Sequence, residues 1–176
     1  MNDRPPAPGG LALVQSLVNS MDLETRSDLL STAEGRAAFG LAAHEVEAAR
    51  ALRRALRTAC LAHAGIHPRG RSVADLDALL AGAPLRIAVG PGGEAALRPA
   101  TAPGTLLSRI AEAIAAASAD GTWNRLKACE AEDCHWAFYD RSPAGRGRWC
   151  SMSACGARAK MRAYRARLMD GGGAPL

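Results

Sequence analysis

The sequence predicts an α+β fold: a mostly helical first unit with one short β-hairpin, then a small cysteine-rich unit that ends in a basic helix. Three observations predict it. Apolar residues recur at helical spacing through most of the first 120 residues, one pair of alternating segments flanks a GPGG turn, and the composition changes sharply near residue 120. Residues 1–120 carry 12 Arg and 12 Asp+Glu, whereas residues 121–176 carry 10 Lys+Arg against 5 acids. The net charge of +5 therefore sits in the last third, with six of the seven aromatics and four of the five cysteines. Compositions this different indicate two folding units, 11–120 and 121–170. Arg outnumbers Lys twenty to two, a bias that GC-rich codons produce, so part of the Arg excess is mutational.

In the first unit, Leu11, Val14, Leu17, Val18 and Met21 mark one face of a helix over 11–21. Ser31 and Glu34 fit a capping box, which predicts a short helix to about residue 41. From His44 to Ala64 the apolar seam is Val46, Ala49, Leu52, Leu56, Ala59, Cys60 and His63, with Arg50, Arg53, Arg54 and Arg57 expected to face out. Ser72 and Asp75 repeat the capping pattern before Leu76, Leu79 and Leu80. Residues 85–89 alternate, GPGG at 90–93 turns the chain, and 94–98 pair back as a hairpin. Pro103 and Gly104 then precede a helix with Leu106, Leu107, Ile110, Ala113, Ile114 and Ala117 on one face.

Several function classes are excluded. No apolar run reaches the roughly 18–20 residues that span a bilayer. The opening MNDRPPAPGG lacks an apolar stretch behind a basic end, so no signal peptide is read there and a cytoplasmic globular protein is expected. Cys60, His63 and His67 spell C-x2-H-x3-H, but Cys60 and His63 lie on the apolar seam and are read as core. GPGG has the spacing of neither phosphate loop. In this unit no nucleophile has a base close to it in sequence.

The second unit carries the chemistry. Cys129-x4-Cys134 and Cys150-x4-Cys155 are two pairs, each straddling a tight turn, and four thiolates suit one structural, tetrahedral Zn2+. Two disulfides or an iron–sulfur cluster are the other uses of four cysteines, the first disfavoured where thiols stay reduced. A unit this small buries too little apolar surface alone, so the metal is expected to fold it. Residues 125–128 alternate toward the first cysteine and 136–140 read as a strand, with Ser142 to Gly145 turning the chain back. A helix is expected from about Ser151 to Leu168, with Cys155 in its first turn, where the helix dipole favours a thiolate. That order is treble-clef-like. Trp123, Trp136, Phe138 and Trp149 are read as the small core around the metal, the alternative being a platform for base stacking.

On the last helix Met161, Tyr164 and Leu168 follow i, i+3, i+7 and are expected to pack inward. Arg158, Arg162 and Arg165 occupy another face, flanked by Lys160 and Arg167, and Arg146 and Arg148 stand in the preceding loop. Five basic residues and no acid lie between Cys155 and Met169, the electrostatic footprint of a phosphate-binding surface. Four Cys ligands leave no open coordination position for water, so no enzyme is expected.

The stretch from Arg125 to Arg167 resembles the CGNR zinc finger family. It has that family's leucine-lysine-x-cysteine opening, a C-x4-C knuckle followed by Trp136 and Phe138, then a basic loop. Trp149-Cys150-Ser151-Met152 and the Cys155-Gly156 corner of a basic helix complete the likeness. Residues 11–120 are similar to the ABATE domain that precedes this finger, through Val18-Asn19-Ser20 and Asp28-Leu29-Leu30-Ser31-Thr32. Ala157 stands where the family name places Asn, and Ser16 and Leu17 stand where aspartate and phenylalanine are usual. The resemblance implies a bacterial, stress-responsive transcription regulator with a DNA-binding finger and a first domain open to ligand sensing or dimerisation. The expected partners are DNA, a small-molecule ligand of the first domain and a second copy in a homodimer. The alternative is a protein-interaction module whose finger docks an acidic partner without touching nucleic acid.

Overall fold

The computed structural model describes residues 4–70, 72–101 and 104–171. The first three residues of the MNDRPPAPGG stretch and Pro103, both used in the sequence reading, lie outside the described residues.

The fold is α+β, with a helical N-terminal region and a C-terminal cysteine cluster. Helix α1 (Leu11–Asn19) buries Leu11, Val14, Leu17 and Val18 against α3 (Val46–His63) and α5 (Leu106–Ala119). It ends two residues short of Met21, whose backbone instead bridges to Asp28. A Cβ on Gly10 would lie 2.7 Å from that of Ala113, so the glycine permits the close approach of α1 to α5. The short helix α2 (Ala33–Ala37) starts one residue later than the capping box implied. Thr32, not Ser31, accepts from the backbone N–H of Gly35, because Ser31 still belongs to a 3-10 turn over Leu29–Ser31 that Asp28 caps. Helix α4 (Ala74–Leu80) follows Ser72, whose hydroxyl accepts from the Ala74 N–H. Strands β1 (Leu85–Val89) and β2 (Ala95–Pro99) form the expected hairpin, with Ile87 opposite Leu97, and β2 lies along α5.

The second hairpin joins the two parts of the chain. Strands β3 (Leu126–Ala128) and β4 (Ala137–Tyr139) pair antiparallel, Lys127 opposite Phe138. Side chains alternate across a strand, so the hairpin has two different faces. Leu126, Ala128, Ala137 and Tyr139 complete the main core, while Phe138 on the other face packs with the cysteines in a second, smaller cluster. The described residues end in a π-helical turn, Met152–Gly156, that runs into α6 (Ala157–Gly171).

Three expectations are corrected. Arg53 and Arg57 do not face out; both are buried, and Arg50 is half-buried. Asp28 accepts from both Nη atoms of Arg53 (2.6 and 3.0 Å) and from Nε of Arg50 (3.0 Å). Arg57 donates to the carbonyls of Val18 and Met21 at the end of α1. Arg54 alone of the four is exposed. Met161, Tyr164 and Leu168 do not pack inward: they are 50, 55 and 60% exposed, because among the described residues α6 leans chiefly on the turn before it. Trp123 belongs to the main core rather than the metal region, its ring edge-on to His63 at 4.8 Å.

Cys60 is fully buried and His63 Nδ1 bonds the Leu126 carbonyl at 2.8 Å. Burial pushes the Cys60 thiol up to about 12, which keeps it neutral as a core residue. No helix among the described residues is long and apolar enough to cross a membrane.

Candidate metal centre and the basic helix

Hairpin β3–β4 places the first cysteine pair at its tip. The Cys129 N–H donates to Trp136 O as the ladder ends, and the amides of Cys134 and His135 both donate to Ala131 O, closing the knuckle. His135 pays for this tight turn with a left-handed φ of 47°. The second pair arrives beside it because the Glu130 N–H donates to Arg148 O. Cys155 sits in the π-helical turn, which Ser151 caps by accepting from the Ala154 N–H. A Cβ on Gly156 would come within 3.3 Å or less of Met152 and Trp149, so glycine lets this corner close over the site.

The four sulfurs lie within 4.8 Å of one another and all four cysteines are free thiols. Cys134 and Cys150 are 3.6 Å apart and Cys150 and Cys155 3.7 Å. A tetrahedral zinc with bonds of about 2.3 Å requires sulfur–sulfur edges of about 3.8 Å, so the donor set fits the ion. Hydrogen bonds from Cys134 and Cys150 hold the Cys129 thiol far below its ordinary range, and the same contacts push Cys134 and Cys150 up. Four thiolates this close ionise together only around a cation.

The hairpin is fastened from both sides. Asn19 clamps the backbone of Ala137: its Nδ2 donates to Ala137 O (3.0 Å) and its Oδ1 accepts from the Ala137 N–H (2.7 Å). Gln15 adds a bond to the same carbonyl. Beneath the basic loop Asp140 is 1% exposed and accepts from Lys127 Nζ, the Ser142 hydroxyl and the amides of Ser142 and Gly147. Gln15 and Asp140 have no sequence signal of their own, whereas Asn19 stands in Val18-Asn19-Ser20 and Lys127 in the leucine-lysine-x-cysteine opening.

The seven basic residues singled out from sequence divide into two groups. Arg148 is held by Glu130 through Nε (2.7 Å) and Nη2 (2.6 Å), beside the Trp149 ring. Arg158 donates to Cys155 Sγ (3.2 Å) and Glu24 (2.8 Å), with Asp133 at 3.8 Å. Its pKa rises, first through the bond to the Cys155 sulfur and then through Glu24. Arg146, Lys160, Arg162, Arg165 and Arg167 are exposed and have no ion pair among the described residues. Residues 160–169 are all exposed, so this helix meets solvent on every side.

A donor that touches a metal-bound sulfur tunes and orients that ligand. Arg158→Ala is expected to weaken zinc affinity by about 10–100-fold, as read by competition with a chromogenic chelator, while Arg165→Ala leaves it unchanged.

A four-thiolate centre that joins a β-hairpin to a basic helix, behind a helical α+β region, defines a zinc-finger protein. Two family models match the chain: the ABATE family, described as "Putative stress-induced transcription regulator", over residues 11–121, and the CGNR zinc finger over residues 125–168. The chain belongs to the ABATE family and carries a CGNR zinc finger whose one structural Zn2+ is bound by Cys129, Cys134, Cys150 and Cys155. A search of the curated proteins finds no match.

Proposed function

We propose that this chain is a zinc-dependent DNA-binding transcription regulator, with a treble-clef-like finger at 121–170 as its DNA-binding unit and 11–120 as a unit that senses a ligand or dimerises. The carrying observation is α6: a helix anchored at the metal, solvent-exposed over ten successive residues, with no acid between Cys155 and Met169. Zinc fixes where that helix starts. Lys160, Arg162, Arg165 and Arg167, with Arg146 from the loop, meet phosphates; Arg148 and Arg158 are engaged by Glu130, Glu24 and Cys155 and serve chiefly to hold the finger. One finger buries little surface on DNA, so two copies on two half-sites belong to this reading. The family description supports a stress-responsive role, and the cytoplasm is the compartment that belongs to this reading.

The test is fluorescence anisotropy of the zinc-loaded chain on mixed-sequence duplex DNA across a salt series. Each phosphate contact contributes about 0.9 to the log–log salt slope. Arg162→Ala with Arg165→Ala is expected to weaken binding to every sequence and flatten the slope by about 1.8. An unchanged slope removes both residues from the interface.

The exposed Met161, Tyr164 and Leu168 favour a second reading, in which the same helix docks an acidic protein. Free duplex DNA that fails to bind at low salt, or to compete with such a partner, selects it.

A further inference from the structure

A cleft of about 640 Å³ opens where α3 faces the first knuckle. Arg50, Arg53, Arg54 and Arg57 come from successive turns of α3 and Arg69 from the loop after it. Among the described residues the lining carboxylates are Asp28 and Glu132. Five guanidiniums against two carboxylates leave three positive charges in excess around one concavity.

The bland role of these arginines, as counter-ions to Asp28, accounts for part of the set. Asp28 is shared by Arg53 and Arg50, and Arg50 also reaches Glu47 outside the cleft. Arg57 places its Nη2 on two backbone carbonyls. Arg54 and Arg69 are exposed, and neither guanidinium has a hydrogen bond or ion pair among the described residues. The floor is thus held by buried Arg53 and Arg57, while two cations stand at the edge with no anion to meet among the described residues. The remaining lining includes Met21, Leu23, Leu61 and Pro68, an apolar strip beside the charge.

From this arrangement we infer that the cleft binds a small phosphate-bearing molecule, its phosphate against the arginines and its apolar part along Met21, Leu23, Leu61 and Pro68. A phosphate monoester carries about −1.5 to −2 charges at neutral pH and three acceptor oxygens, which answers the excess better than a carboxylate does. Guanidinium is the side chain whose fork geometry fits such oxygens. The volume lies within the usual range of ligand clefts, roughly 300–1,000 Å³. Glu132 and His135 of the C-x4-C knuckle form the opposite edge, so the occupant touches the metal-bearing hairpin as well as α3. This gives the sensing role of the first unit a place and a chemistry, and its test involves no DNA binding by the finger.

The experiment is isothermal titration calorimetry on the zinc-loaded full chain in a buffer free of phosphate and sulfate. The probes are phenyl phosphate, inorganic phosphate and, as the uncharged match, benzyl alcohol. Saturable binding of phenyl phosphate, weaker binding of inorganic phosphate and none of benzyl alcohol are expected. Arg54→Ala with Arg69→Ala is expected to weaken phenyl phosphate roughly tenfold or more. Arg86→Ala, which removes one charge on the exposed hairpin away from the cleft, leaves it unchanged. The proposal is overturned by absence of saturable binding, by a double variant that binds as the parent does, or by an equal loss in Arg86→Ala. It is overturned also if duplex DNA displaces the probe from the parent chain and loses affinity in the double variant, since the cleft then belongs to a nucleic-acid surface. Because the guanidiniums of Arg54 and Arg69 make no hydrogen bond or ion pair among the described residues, the double variant keeps the parent melting temperature, which separates loss of the site from loss of the fold.

Discussion

Stripping the zinc with a chelator, or replacing Cys155 with Ala, is expected to unfold the finger and leave the helical core folded. The near-ultraviolet circular dichroism of Trp136 and Trp149, which pack against the cysteines, should collapse, together with the far-ultraviolet contribution of α6. The reason is the size of the second cluster: Cys129, Ala131, Phe138, Cys150 and Cys155 are its buried members, too few apolar groups to offset the entropy of ordering a loop-rich segment. Metal binding to isolated fingers supplies on the order of 10 kcal/mol, and here that term replaces a hydrophobic core. The main core takes Leu126, Ala128, Ala137 and Tyr139 from the hairpin but is built mostly from helical residues such as Leu17, Leu56, Leu61 and Ile110, so the signals of α1, α3 and α5 should persist. Readdition of stoichiometric zinc should restore the lost signals for the parent chain and not for Cys155→Ala. Unchanged spectra after complete zinc removal would show that the ion is not structural.

The second large effect is expected at Asp140. Substitution to Asn keeps the shape and removes the charge that Lys127, itself buried, depends on. Asn also turns one acceptor of the amides of Ser142 and Gly147 into a donor. A buried ion pair broken on one side costs about 3–5 kcal/mol, and urea denaturation of Asp140→Asn should show a loss of that size. Adding Lys127→Met should recover part of it, because the orphaned ammonium goes too.

The same residue makes stability depend on pH. Burial raises the pKa of Asp140, but the hydrogen bonds from Ser142 and Gly147, with Lys127, outweigh it and hold the group at about 2. Asp28 is held at about 2 as well, chiefly by its hydrogen bonds to Arg53. Both folded-state values lie below the ordinary 3.8, so each carboxylate contributes stability that is fully present above about pH 4 and is lost as pH falls toward 2. A urea midpoint that falls between pH 5 and pH 2.5 in the parent chain, and falls less steeply in Asp140→Asn, is the expected pattern.

Local signals in this chain translated directly into local structure. The spacing of Leu11, Val14, Leu17 and Val18, of Leu52, Leu56 and Cys60, and of Leu106, Ile110 and Ala113 placed three helices that are present, and GPGG placed a hairpin turn. The two C-x4-C pairs named a metal site whose sulfurs do converge. These readings hold because period and turn chemistry are properties of the backbone over a few residues, and because a thiolate pair spanning one knuckle is itself a local object.

What tertiary structure decided was which polar and apolar faces acquire a partner. Arg53 and Arg57 share a helical spacing with Arg50 and Arg54 that reads as a solvated face. They turn inward because Asp28 lies 25 residues before Arg53 and the Val18 carbonyl 39 residues before Arg57. Met161, Tyr164 and Leu168 have the spacing of a buried stripe and stay in solvent because, among the described residues, α6 leans chiefly on the turn before it. Arg158 reads as one more phosphate ligand and instead bonds Cys155 and, across 134 residues, Glu24. Asn19 reaches 118 residues along the chain to clamp Ala137 and lock the metal hairpin to α1. The sequence alone thus determined the elements and the metal ligands, since both depend on neighbours along the chain. The fate of each charged or apolar stripe depends on desolvation against whatever group lies opposite, and only the folded chain brings that group there.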